Sequence, residues 1–192
     1  MENIYKHIAT TLKELRQKKG WSLDKTALAT GVSKAMLGQI EREESSPTIS
    51  TLWKIANGFE TSFSSFIEEI NTASSEAVFR TGKVKSIHPD DQKIRVLPLF
   101  PFDQQLKFEL FVIELLPGCE HFSPSHNDGV IEHVVVIEGR MEVLVDGTWC
   151  ALSNGEGIRF NANQPHGYRN LMSEVAIFHD IIHYPETNLP AN

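Results

Sequence analysis

Apolar residues recur at helical spacing over the first 67 residues and change to strand-like runs beyond residue 108. Ile8, Leu12 and Leu15 fall on one side of a segment from Ile4 to Lys19, with Lys13, Lys18 and Lys19 on the other, which predicts an amphipathic helix. Ser22 stands where its hydroxyl can accept from the unpartnered N–H groups of a helix running to about Thr30, and Gly31 is placed for the left-handed residue that closes it. Val32 enters the core. Ser33 then starts the pattern again, with Met36, Leu37 and Ile40 inward and Lys34, Ala35 and Gln39 outward, and Gly38 is expected to keep the outward face low. Thr48 predicts a cap for a helix through Leu52, Trp53, Ile55 and Ala56 that ends at Gly58. Ser62 predicts a last short helix through Phe63, Phe66 and Ile67. Five helices over about seventy residues come close to the smallest core that folds without staples.

Two short capped helices joined by Gly31-Val32-Ser33 follow the pattern of a helix-turn-helix, whose ligand is duplex DNA. The second helix of the pair is expected in the major groove. Gln39 suits adenine, Lys34 suits guanine, and Ala35 offers an apolar contact the size of a methyl group. Ser22 and Ser33 open helices whose free N–H groups face phosphates, and Arg42 at the end of the second helix completes the expected DNA-binding set. The bland alternative is a helical bundle whose lysines merely form a solvated face.

Residues 8–67 resemble the DNA-binding domain of Xre/Cro-type repressors. The resemblance is carried by Leu15-Arg16, Gly31-Val32-Ser33, Ile40-Glu41-Arg42, Ser46-Pro47-Thr48 and Leu52-Trp53-Lys54-Ile55-Ala56. It implies that Arg16 and Glu41 form a structural ion pair and do not touch the operator. That family usually has Leu where Thr26 stands, so the Thr is expected to loosen the core slightly without changing the fold.

Charge separates the two parts of the chain. The first 58 residues carry nine Lys and Arg against six acids, and the remainder nine against nineteen, so the net charge of −7 belongs to the second part. DNA binding is therefore expected to be specific, yet still to weaken as salt rises. The composition shift near Asn71-Thr-Ala-Ser-Ser-Glu76 suggests a helical domain over 1–70, a linker over 71–78 and a second domain over 79–192. In that second domain Phe108 to Leu116, Val134 to Ile137, Met141 to Val145 and Val175 to Ile182 read as strands. Turn signals at Pro117-Gly118, Glu138-Gly139, Asp146-Gly147 and Asn154-Gly155 separate them, which predicts an antiparallel sandwich or barrel. No stretch is long and apolar enough for a membrane span and the first residues do not read as a signal peptide, so a cytoplasmic protein with no membrane partner is expected. Cys119 and Cys150 then read as free thiols.

Six of the eight histidines fall between residues 121 and 183. The stretches His126 to Gly139 and Gly155 to Asn170 resemble the paired motifs of the cupin family, a small jelly-roll barrel. The resemblance assigns His126, Glu132 and His166 as metal ligands and puts Asp128 where that family usually has a further histidine. Alternation along a strand would let His126 and Asp128 share a direction, with Glu132 and His166 coming from strands that face them. Two imidazoles with one or two carboxylates suit a divalent transition metal: zinc is the favoured ion, and manganese, iron and nickel also fit. His133, next to Glu132, should face the other way, and His121 carries no pattern.

The fold expected for the whole chain is thus an all-α five-helix helix-turn-helix domain followed by an all-β cupin. Its expected function is transcriptional regulation on a double-stranded DNA operator, as a homodimer, with a small-molecule effector in the barrel and no enzymatic turnover. Arg159, Tyr168, Phe122 and His179 are the expected ligand-binding residues, and a pocket polar at one end suits an amino acid or related metabolite. A slip of one residue in strand register would reverse that choice. The alternatives are a cupin used only for dimerisation and a DNA-tethered, metal-dependent cupin enzyme.

Overall fold

The structure, a computed structural model, describes residues 2–67 and 93–185. The linker expected over 71–78 and the residues that follow it to 92 lie outside the described residues. The chain divides into two compact units, Met1–Asn71 and Thr72–Asn192.

The first unit holds four α-helices, α1 (Glu2–Lys18), α2 (Leu23–Thr30), α3 (Lys34–Glu41) and α4 (Ile49–Phe59), followed by a 3₁₀ turn at Phe63–Phe66. Three caps form as the sequence predicts. Ser22 accepts from the backbone of Lys25, Ser33 from Met36 and Thr48 from Thr51, and Gly31 closes α2 at φ 66°. Ile8, Leu12, Leu37, Ile40, Leu52, Ile55, Phe63 and Phe66 make the core. The expected fifth helix is only the 3₁₀ turn, and Ser62 makes no side-chain cap bond to it.

Helix α4 does not end at Gly58. It continues to Phe59, and Glu60 takes the left-handed closing position at φ 56°. Gly58 serves close approach instead: a Cβ there would lie 2.6 Å from Thr30 Cγ2 and 2.7 Å from the Ala29 carbonyl oxygen. Thr26 is fully buried, and its hydroxyl donates to the Ser22 carbonyl at 2.9 Å, so the polar atom is satisfied locally. The Arg16 guanidinium grips Glu41 at 2.6 and 2.9 Å and also donates to the Trp21 carbonyl at 3.0 Å.

The second unit is all-β among its described residues. Its strands are β1 (Ile94–Asp103), β2 (Phe108–Leu115), β3 (Glu120–Ser123), β4 (Ile131–Glu138), β5 (Arg140–Val145), β6 (Thr148–Ser153), β7 (Gly157–Asn161), β8 (His166–Arg169) and β9 (Ala176–His183). They form a five-stranded sheet in the order β1-β2-β9-β4-β7 and a four-stranded sheet in the order β3-β8-β5-β6. The inner faces meet in a core of Phe111, Leu115, Val134, Val136, Met141, Val143, Tyr168 and Phe178. Strand β1 is absent from the sequence expectation because Pro98 and Pro101 punctuate it. It is an edge strand with irregular register around those prolines, where a missing N–H costs no ladder bond.

Candidate functional site

In the helical unit the side chains expected to read DNA lie on the outer surface of α3. Lys34, Ala35, Gln39 and Arg42 are exposed, whereas Leu37, Gly38 and Ile40 are buried. Gly38 faces inward, contrary to expectation. A Cβ there would meet Leu23 Cδ1 of α2 at an ordinary 3.7 Å and crowd only the Arg42 Nη1 end at 3.1 Å, and the outward face is left to its neighbours. Lys34 Nζ pairs with Asp24 at 2.8 Å, and Arg42 pairs with Glu44 at 2.7 and 2.9 Å. Both pairs are exposed to solvent and screened by it, so a phosphate or base can displace either acid.

The barrel interior is built differently. Glu132 on β4 and His166 on β8 point inward from opposite sheets, and His126 reaches them from the β3–β4 loop. All three are buried. Glu132 Oε1 lies 2.8 Å from His126 Nε2 and 3.3 Å from His166 Nε2, and one ligand atom from each residue falls within 4.8 Å of the others. His166 Nδ1 sits 3.0 Å from the Gln164 carbonyl, an arrangement that in the neutral ring puts the proton on Nδ1 and turns the Nε2 lone pair to the centre. The Tyr168 hydroxyl donates to the other carboxylate oxygen, Glu132 Oε2, at 2.5 Å.

Burial alone would raise the Glu132 pKa. The charges of His166 and His126, whose Nε2 atoms closely approach the carboxylate, outweigh burial and hold it far below the ordinary carboxylate range. For His166, burial would lower the pKa, and the Glu132 charge and hydrogen bond together with the Gln164 carbonyl raise it. The Tyr168 hydroxyl is raised by burial first, and then by the Asp180 and Glu132 charges.

A metal fits this set. Glu132 Oε1 and His166 Nε2 are buried with no hydrogen-bond partner of good geometry, although they lie within ion-pair reach of each other. A cation between them would satisfy both, and two imidazole nitrogens with one carboxylate oxygen form the open three-ligand set that divalent transition metals take.

Four sequence-predicted residues lie elsewhere. Asp128 is exposed and accepts from Asn163 Nδ2 at 3.3 Å, because His126 and Asp128 sit in a loop where strand alternation does not apply. Arg159 is exposed opposite His133, on the outer face of β7. Phe122 is 56% exposed and packs edge-on to Trp149 outside the four-stranded sheet. His179 alternates with buried Phe178 and Asp180 and so faces outward. Of the expected ligand-binding set only Tyr168 lies inside.

The interior also holds polar residues outside the expected site set. His121, Glu109 and Asp180 are all buried there, and Tyr184 bonds Glu109. Both faces of β9 carry apolar residues, Ile177 and Ile181 on one and Phe178 and Ile182 on the other, so alternation gave no choice between His179 and Asp180. The pairing decides it: the β4–β9 register aligns Glu132 with Ile182 and thereby turns Asp180 inward.

Comparison with known proteins agrees with this architecture. The family model described as Helix-turn-helix matches residues 12–66, and the one described as Cupin domain matches residues 111–182. The chain is 49% identical over 187 residues to the HTH-type transcriptional regulator SutR of Escherichia coli, covering 97% of this chain and all of that one. It is 24% identical over 164 residues to the regulator PuuR of the same organism, covering 85% of this chain and 88% of that one. A crystal structure of an HTH_3 family transcriptional regulator from Vibrio cholerae superposes with a TM-score of 0.82 at 48% identity, covering 95% of this chain and 98% of that one. Among the described residues no helix is long and apolar enough to cross a membrane.

Proposed function

The chain belongs to the helix-turn-helix transcriptional regulators that carry a C-terminal cupin domain, and from that premise we propose that its barrel is a metal-containing effector sensor controlling operator binding. Helix α3 lies in the major groove, with Lys34, Ala35 and Gln39 at base edges, Arg42 at its end, and the starts of α2 and α3 at Ser22 and Ser33 against phosphates. Two copies place two such helices on half-sites about one helical turn apart. His126, Glu132 and His166 would hold a divalent ion, zinc in the first instance, which would supply a Lewis-acid anchor beside the effector. Effector binding favours one arrangement of the dimer over another, and operator affinity follows. On this reading the barrel reports and does not turn over a substrate.

The observation that carries the proposal is Glu132 Oε1 facing two histidine Nε2 atoms at 2.8 and 3.3 Å in a buried interior, in a chain that also carries a DNA-reading helix pair. The test is elemental analysis of the full-length protein beside its His126→Ala/His166→Ala variant. The same two proteins are then assayed on a duplex selected from a random-sequence library. About one zinc per chain is expected in the wild type and none in the variant, with equal duplex affinity for both without effector. Metal retained by the variant overturns the assignment of the centre, and failure to select any duplex overturns the DNA reading.

A further inference from the structure

Three carboxylates share the inner face of the five-stranded sheet. Glu109, Glu132 and Asp180 are 0%, 1% and 3% exposed. Glu109 on β2 and Glu132 on β4 both stand opposite Ile182 of β9, one from each side. Asp180, two residues earlier on β9, stands opposite Phe111 and Val134 and so lies diagonally between the two glutamates, at a spacing that side chains bridge. Two of the three have partners. Glu132 is held by Tyr168 and faces His126 and His166, and Glu109 accepts from the Tyr184 hydroxyl. Asp180 Oδ1 has no hydrogen-bond partner.

An unsatisfied oxygen in a buried sheet face costs free energy and calls for an occupant. Three acidic groups around it favour a positive one. A second metal ion fits poorly, because among the described residues only His126, Glu132 and His166 bring ligand atoms together at metal spacing. A positive group that donates hydrogen bonds suits the Asp180 oxygen, and an ammonium is the small one of that kind.

Resting on the reading of the barrel as the effector site, we propose that Asp180, flanked by Glu109, binds an ammonium group of the effector while the effector's other end reaches the His126, Glu132 and His166 centre. The effector class is then a small primary amine that also carries a metal-ligating group, as amino acids do. Burial, and then the Glu132 and Glu109 charges, hold the Asp180 carboxyl well above the ordinary carboxylate range. A cation at Oδ1 opposes both of those charges.

The test uses zinc-loaded full-length protein and a panel of the proteinogenic amino acids, each paired with its 2-hydroxy acid, with affinity read by calorimetry. At least one amino acid is expected to bind about tenfold or more tightly than its hydroxy-acid partner. Asp180→Asn, close in shape and uncharged, is expected to cut that preference to less than about twofold and to leave zinc content and melting temperature undiminished. Should that variant fail to fold, Glu109→Gln is expected to reduce the preference by about threefold. Absence of any amine preference in the wild type overturns the proposal, as does a preference that survives in the soluble variant. Amine binding without any change in duplex affinity leaves the subsite standing and removes the sensor reading instead.

Discussion

The two units use their polar side chains in opposite ways. In the helical unit most polar groups inside the fold are satisfied within the unit, the buried Ser62 hydroxyl excepted: Thr26 bonds Ser22, Thr30 bonds Thr26, and Arg16 holds Glu41 and Trp21. The side chains offered to a partner stand outside and take no part in the core. In the barrel the groups proposed to bind metal and effector are themselves core residues, brought from β4, β8, β9 and the β3–β4 loop, and several face one another without complete bonding. Function and stability are therefore separable in the first unit and entangled in the second. Substitutions can break that contrast or sharpen it.

The largest effect is expected from Arg16→Ala. It removes a two-point ion pair whose side chains are mostly buried and also the bond to the Trp21 carbonyl, leaving Glu41 without its cation. Loss of one partner of such a pair costs about 3 kcal/mol. Urea unfolding should show that loss in the helical unit's transition, whereas zinc content should not change. A loss below about 0.5 kcal/mol, the range of an ordinary surface substitution, would contradict the structural role assigned to Arg16.

Gln39→Ala comes next and tests separability directly. Gln39 is exposed on α3, so unfolding stability should stay within about 0.5 kcal/mol of wild type. Discrimination between the selected duplex and one altered at a single adenine should fall by about 2 kcal/mol, measured as a ratio of dissociation constants at fixed salt. A variant that binds both duplexes as the wild type does would remove Gln39 from the reading face.

Gly58→Ala sets two opposed terms against each other. Alanine in a helix interior gains about 1 kcal/mol over glycine. The added Cβ would sit at 2.6–2.7 Å from Thr30 and the Ala29 carbonyl, where most of the opposing atoms are backbone and cannot swing away, and overpacking of that kind costs about 1–3 kcal/mol. A net loss of up to about 2 kcal/mol in unfolding stability is expected from the difference of these terms. A gain in stability would show that α2 and α4 are looser than their contact implies.

The contrast also explains what could be read before the fold was seen. Caps and helix faces depend on residues three or four apart, so Ser22, Ser33, Thr48 and Gly31 announced themselves, as did the outward set on α3. Gly58 misled because a glycine near a helix end can either stop the helix or admit a neighbour, and only packing against Thr30 decides which. In the barrel, His126, Glu132 and His166 were recognisable by their motifs. Arg159, Phe122 and His179 have side-chain chemistry that suits a ligand, but strand register places each on the outer face and puts His121 and Asp180 inside. Register is a property of paired strands, and a single strand with apolar residues on both faces does not contain it.

Tyr168→Phe is the finest probe of entanglement. The Tyr168 hydroxyl holds Glu132 Oε2, leaving Oε1 for the two histidines, and tyrosine and glutamate come from opposite sheets. Phenylalanine keeps the ring, its packing against Phe178 and nearly all of its volume, so the hydroxyl alone is removed. If Glu132 is a ligand oriented by that bond, zinc affinity measured by competition with a chelating dye should fall about tenfold, the lower end for loss of a group supporting a metal ligand. The cobalt-substituted protein adds a second readout, because a carboxylate free to turn both oxygens to the ion changes coordination number and hence the visible absorption. In the metal-free protein the same variant leaves an acceptor oxygen buried without its donor, so its stability should fall as well. A fall in stability together with the fall in metal affinity is what an entangled site requires, whereas a change in only one of them would mean that the barrel separates its chemistry from its core as cleanly as the helical unit does.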